Sequence, residues 1–194
     1  GLGDVYKRQM EELASLAEAA EKEVAGQIVQ RLDQPVEGVL VFGKTPQATA
    51  WLNKQHQNGM MKKEYLAVFT GTPVKEKQGI WEDYLIKDGK TNTSRVTGKK
   101  DRMAKKAVLS YRIMDWRDDR GLAEIRLGTG RHHQIRVQMA HAGMPLVGDR
   151  KYNPGQNSQE PLALCSAKLG FQHPVTKKQL EFQVQPAGMA FKRH

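Results

Sequence analysis

One cysteine in 194 residues, Cys165, excludes an internal disulfide and any zinc site built on several thiolates. Long apolar runs are missing as well. No stretch is long enough to span a bilayer as a helix, and none follows a basic start as in a secretory signal. These absences fit a reducing cytoplasm, which is the expected location, with no membrane partner. Several chemical signatures are absent too. Gly128 and Gly130 lack the third glycine and the strand–helix–strand setting of a dinucleotide fingerprint. His132, His133 and His141 do not supply the His-Glu-x-x-His of a zincin, and no Gly-x-Ser-x-Gly elbow occurs. Internal repeats and low-complexity tracts are also lacking.

What is present is a chain of single-domain length, 39% hydrophobic and 27% charged, as expected of a globular protein. Its net charge is +10, and it is unevenly spread. Residues 1–30 hold six acids and three bases; removing that −3 from the total leaves +13 on the rest. A basic body attracts polyanions, nucleic acid first among them, although a solvated basic surface would look the same. Residues 87–106 concentrate the effect, with eight bases against Asp88 and Asp101. Thr91, Asn92, Thr93 and Ser94 add donors suited to phosphate. This segment reads as a loop or hairpin touching an RNA backbone through Lys99, Lys100, Lys105 and Lys106, or as a mobile solvated loop.

The first methionine is Met10, so residues 1–9 are set aside as a non-native leader, and residues 10–194 are taken as one domain. Leu13, Leu16, Ala17, Ala20 and Val24 recur at helical spacing up to Gly26. Gly38 to Lys44 is a continuous apolar run that predicts a buried strand. Pro46 opens a helix to about Asn58. Lys62 to Thr70 alternates, with Tyr65, Ala67 and Phe69 on one face. Further strands are predicted over residues 80–87, 107–114, 122–127, 162–169 and 179–184, with a turn at Asp118 to Gly121. A helix is predicted from about His132 to His141, stopped by Gly143. Strands dominate without regular strand–helix alternation. The fold class is therefore α+β, a mixed and largely antiparallel sheet with a few flanking helices.

Three stretches could carry chemistry. Arg31-Leu32-Asp33 precedes a Pro- and Gly-containing turn and the apolar run, so Asp33 could serve as nucleophile or base; turn chemistry and a simple Arg31–Asp33 pair explain it equally. Tyr65, in Lys63-Glu64-Tyr65-Leu66-Ala67, offers a ring for stacking and a hydroxyl, or just a core side chain. Gly128 to Val137 places small residues, Arg131, His132, His133 and Arg136 around a helix start suited to an anion, or forms a structural basic helix.

In this order and spacing, the three stretches resemble the RluA-type family of RNA pseudouridine synthases. The resemblance runs from about Arg31 to Val184. It rests on Arg31-Leu32-Asp33 with Gly38 to Lys44, on Lys63 and Tyr65 to Ala67, and on Gly130, Arg131 and His133 to Val137. The Gly143 to Asp149 segment and Tyr152 also match. Gln30, Val36-Glu37 and His132 depart from the family's His, Thr-Ser and Thr. The family's catalytic domain has a longer part before the Asp motif, so a truncated member is expected. The resemblance implies isomerisation of uridine to pseudouridine in ribosomal or transfer RNA, without cofactor or metal, by a chain taken as a monomer. It implies Asp33 as the essential carboxylate, Tyr65 stacking on the uracil and helping to deprotonate C5, and Arg136 pairing with Asp33. Arg31, Arg131 and His133 would contact RNA. The rival reading is a catalytically inactive RNA-binding domain on the same scaffold.

Overall fold

The computed structural model describes residues 36–155 and 159–193. The leader, the helix expected before Gly26, and both Arg31 and Asp33 lie outside the described residues.

The described chain runs β1 (Glu37–Gly38), α1 (Pro46–Gln57), β2 (Lys62–Thr70), β3 (Gln78–Asp88), β4 (Thr93–Thr97), β5 (Lys105–Arg117) and β6 (Arg120–Leu127). It continues through α2 (Gln134–His141), β7 (Leu164–Gln172), β8 (Gln179–Gln183) and a 3-10 turn, Phe191–Arg193. The strands form one sheet in the order β1-β7-β2-β6-β5-β3-β4. β8 shares the outer edge of β7 with β1: β1 pairs with Cys165 and Ser166, β8 with Lys168 to Gln172. Only the β1–β7 pairing is parallel; the others are antiparallel. The expected mixed, largely antiparallel α+β sheet is what forms.

Alternation builds its two faces. Tyr65, Ala67 and Phe69 of β2 point to one side, together with Leu109 and Tyr111 of β5 and Ala123 and Ile125 of β6. Ile135 and Met139 of α2 cover them. Leu66 and Val68 point the other way, toward Cys165, Ala190 and Phe191. Phe69 is fully buried, and Gly121 sits under its ring; a Cβ at Gly121 would fall 2.2 Å from the ring carbon Cζ. Glycine is therefore required there for packing. β5 and β6 are joined by Asp118 and Asp119, both at positive φ (51° and 61°), the backbone twist that suits a two-residue hairpin.

α1 begins where Pro46 and the Thr45 cap predict: the Thr45 side chain accepts the Ala48 N–H at 3.2 Å. Gln55 docks it on the sheet, its amide donating to the Gln172 carbonyl (2.8 Å) and accepting the Gln172 N–H (2.7 Å). α2 stops at Gly143, whose φ of 79° lets Met144 N–H reach back to Met139 O at 2.9 Å.

Two expectations need correction. The Gly38 to Lys44 run is not a buried strand. β1 ends at Gly38, and beyond it Val39 and Val41 pack inward while Leu40 and Phe42 are exposed. The run crosses the edge of β7, where only alternate side chains meet the core. The second helix starts at Gln134, not His132, because His133 adopts a left-handed backbone (φ 53°, ψ 26°).

Candidate active site

A cleft of about 270 Å³ opens where β2, the β6–α2 loop and the entry to β1 meet; Val36, Lys63, Tyr65, Arg131, His133 and Arg136 are among its lining residues. All three stretches singled out in the sequence thus contribute, the first through Val36. Tyr65 is only 7% exposed, a core residue whose strand presents it at the cleft floor.

Gln134, at the start of α2, shapes the loop before it. Its side-chain carbonyl accepts the Thr129 hydroxyl (2.8 Å) and the Arg131 N–H (3.0 Å), and its amide donates to the Val108 carbonyl (3.0 Å). Arg131 is drawn sideways as well, its Nε donating to the Lys106 carbonyl at 2.8 Å.

His133 is buried in its left-handed conformation, which costs a non-glycine residue about 1–2 kcal/mol and must be held by its surroundings. His132 and Tyr152 help to hold it. His132 stacks on its ring with centroids 3.8 Å apart, and its Nδ1 lies 2.7 Å from the Tyr152 hydroxyl. That hydroxyl also accepts the Ser94 N–H at 2.7 Å, which ties the His133 ring to β4. Burial first, then the charges of Arg136, His132 and Lys151, push the His133 pKa down to about 3.

Arg136 is buried against Asp149 in a bidentate pair, Nε to Oδ2 and Nη2 to Oδ1, each 2.8 Å. The guanidinium also lies 5.1 Å above the Tyr152 ring. Asp149 accepts the backbone N–H groups of Lys151 (3.0 Å) and Tyr152 (3.2 Å), so one carboxylate fixes both the arginine and the turn bearing Tyr152. Asp149 is a site residue that sequence reasoning did not single out. Its place in the Gly143 to Asp149 motif was visible, but the pairing across thirteen residues was not.

The basic segment is a hairpin, β3–β4, followed by a turn into β5. Lys99, Lys100 and Lys105 are exposed, while Lys106 pairs with Glu82 at 2.8 Å. Ser94 does not present a donor to solvent. It is 6% exposed, its hydroxyl bonds His132 Nδ1 at 2.8 Å, and its N–H is taken by Tyr152. Asn92, although exposed, is engaged too, with Oδ1 3.0 Å from His132 Nε2 and its carbonyl accepting Lys151 Nζ at 2.7 Å. These residues latch the hairpin to the cleft wall. Among the described residues, no three His, Cys, Asp or Glu side chains converge as a metal site would require.

Tyr65, Arg131, His133 and Arg136 are thus brought together, Lys99 and Lys100 stand in the turn after β4, Lys105 and Lys106 stand at the start of β5, and Asp33 and Arg31 lie outside the described residues. The RNA pseudouridylate synthase family model matches residues 3–141. The chain is 34% identical over 167 residues to ribosomal large subunit pseudouridine synthase D of Zymomonas mobilis, covering 81% of this chain and 52% of that protein. To the Bacillus subtilis protein named uncharacterized RNA pseudouridine synthase YlyB it is 35% identical over 168 residues, 84% and 53% of the two chains. This chain therefore spans about half the length of these relatives. In fold it is similar to human RNA pseudouridylate synthase domain containing 1, with a TM-score of 0.73 at 19% identity over 88% of this chain and 74% of that one. With a family model matched across most of its length, the chain belongs to the RNA pseudouridylate synthase family.

Proposed function

We propose that this chain isomerises uridine to pseudouridine in structured RNA, with Asp33 as the essential carboxylate. The observation that carries the reading is the shared cleft: the stretch after Asp33, the Tyr65 strand and the Arg131–Arg136 stretch all line it. Covalent geometry allows three residues a span of at most about 11 Å, so an acid at position 33 is within reach of the wall that Val36 forms.

In the reaction, the bond from ribose C1′ to uracil N1 breaks, the base turns, and C1′ joins C5; the C5 proton leaves and N1 gains one. Asp33 acts on the sugar, by attack at C1′ or by taking a proton from C2′. The uridine must leave its stack to reach the cleft. Tyr65 stacks near the uracil and assists C5 deprotonation. Arg136 supplies positive charge at the cleft while Asp149 fixes its guanidinium plane; a cation within about 4–6 Å lowers a carboxylate pKa by roughly 1–3 units, which would keep Asp33 ionised. Arg31, Arg131 and His133 contact the RNA, and Lys99, Lys100 and Lys105 extend the basic track, with Lys106 shared with Glu82. The enzyme is taken as cytoplasmic and monomeric. Large-subunit ribosomal RNA is the first substrate to try, ahead of transfer RNA, because relatives carry that name.

The test is nucleoside analysis of ribosomal and transfer RNA after incubation with the chain. New pseudouridine that disappears with Asp33→Asn supports the reading. RNA binding without any isomer formed would instead favour a non-catalytic RNA-binding domain.

A further inference from the structure

Lys63 and His56 line the cleft but have no part in the chemistry assigned above. Lys63 belongs to β2, two residues before Tyr65, and His56 to the last turn of α1. Lys63 Nζ lies 2.6 Å from His56 Nδ1. An ammonium only donates, so Nδ1 accepts, and His56 is neutral with its proton on Nε2. This is the one hydrogen bond of the Lys63 side chain among the described residues, and none of their carboxylates pairs with it. Glu64, its neighbour, bonds Arg126 on the other face of the strand at 2.9 Å.

A half-buried cation without an anion is costly to keep charged. Burial pushes the Lys63 pKa down to about 8, and burial and then the Lys63 charge push His56 down. The β6–α2 loop passes close by: a methyl group at Gly130 would lie 3.7 Å from His56 Cε1 and 3.9 Å from Lys63 Nζ. The next residue, Arg131, is a second cation without a carboxylate among the described residues, and only its Nε is engaged, by the Lys106 carbonyl. Among the described residues, the titratable groups that line the cleft around Lys63 are His56 from α1, Tyr65 from its own strand, and Arg131, His132 and His133 from the loop, with no carboxylate among them.

We propose that Lys63 and Arg131 form a phosphate subsite of the cleft, with His56 as its positioning residue, and that it takes a backbone phosphodiester of the bound RNA. The inference rests on the RNA reading of this cleft and names a contact within it. His56 occupies one ammonium proton and so fixes the directions of the other two.

The test uses the whole chain with oligouridylate as the probe, titrated across a salt series. Each phosphate neutralised on a single strand contributes about 0.7 to the slope of log affinity against log salt. Lys63→Met is expected to weaken binding about tenfold, the size of one charge-assisted hydrogen bond, and to reduce the slope by about 0.7. Lys63→Arg retains the slope. His56→Phe retains most of the slope but loses affinity, since the ammonium is no longer aimed. In the wild type, the His56 Nδ1 resonance moves when oligouridylate is added. A folded Lys63→Met chain with an unchanged slope overturns the subsite, whether affinity stays the same or falls through lost contact with the base. An unmoved His56 resonance overturns it too. If the chain binds RNA through Lys63 yet forms no pseudouridine on any RNA, the isomerase reading fails and the subsite stands.

Discussion

The inner wall of the cleft and the basic turn from β4 into β5 both carry cations, and they hold them in opposite ways. On the inner wall, Arg136 is 7% exposed at its side chain and locked to a fully buried Asp149, beneath which Tyr152, His133, His132 and Ser94 form a continuous bonded network. On the turn and the first residues of β5, Lys99, Lys100 and Lys105 stand in solvent, and the Lys106–Glu82 pair is half exposed on both sides. A buried pair costs desolvation and is repaid through geometry, whereas an exposed one is screened. The inner wall is therefore built to hold one arrangement, and the basic turn to present charge over a distance. Lys63 lies between these extremes, partly withdrawn from water yet with no carboxylate partner among the described residues.

That contrast can be broken most forcefully at Asp149. Asp149→Ala strands a buried guanidinium and is expected to cost about 3–5 kcal/mol, lowering the melting temperature by roughly 10 °C in calorimetry. A loss no larger than that of a surface pair would contradict the account of the inner wall. Next comes charge reversal at Lys99, Lys100 and Lys105. RNA affinity should fall steeply, and the salt slope should shrink by about 2, while the melting temperature barely moves. An unchanged slope would remove the β4–β5 turn from the RNA track.

The pH responses of the two regions should differ in sign. His133 is held neutral in the fold, with its pKa lowered to about 3 from 6.5. The unfolded chain therefore takes up a proton first, and stability drops as pH falls below about 6.5 toward 3. His56, lowered too, adds to the trend. His133→Asn tolerates the left-handed backbone and should flatten that dependence in thermal melts across the range. Lys63 works the other way on binding. Its charge is present below about 8 and lost above, so oligouridylate affinity should decline as pH rises through that value and stay level in Lys63→Met. The smallest effect is expected at Glu82→Gln, which leaves an exposed Lys106 unpaired and should cost less than about 1 kcal/mol.

Much of this architecture was legible because period and punctuation agreed. β2 occupies the residues its alternation marks, 62–70, and α1 starts at Pro46 and ends beside Asn58. β4 escaped because Thr93–Thr97 is an edge strand whose buried side chain, Ser94, is polar; no apolar rhythm marks it. The Gly38–Lys44 run misled for the opposite reason, being apolar but placed at an edge. In the site, the motifs assembled Tyr65, Arg131 and Arg136 correctly on one cleft, since residue types in fixed order carry that information. Pairings did not show. Arg136 with Asp149 and Lys63 with His56 are set by how α2 meets the 149–152 turn and how α1 meets β2, which are tertiary facts. The left-handed His133 was equally hidden, because histidine gives no sign of positive φ as glycine does.

The most direct measurement is tritium release from ribosomal RNA labelled at uridine C5, followed over time for the wild-type chain and for Asp33→Asn. Departure of the C5 proton accompanies each isomerisation, so the wild type should release tritium in step with pseudouridine formed, and the Asn variant should release none above background. Equal release by the two would contradict the assignment of Asp33 to the chemistry of this cleft.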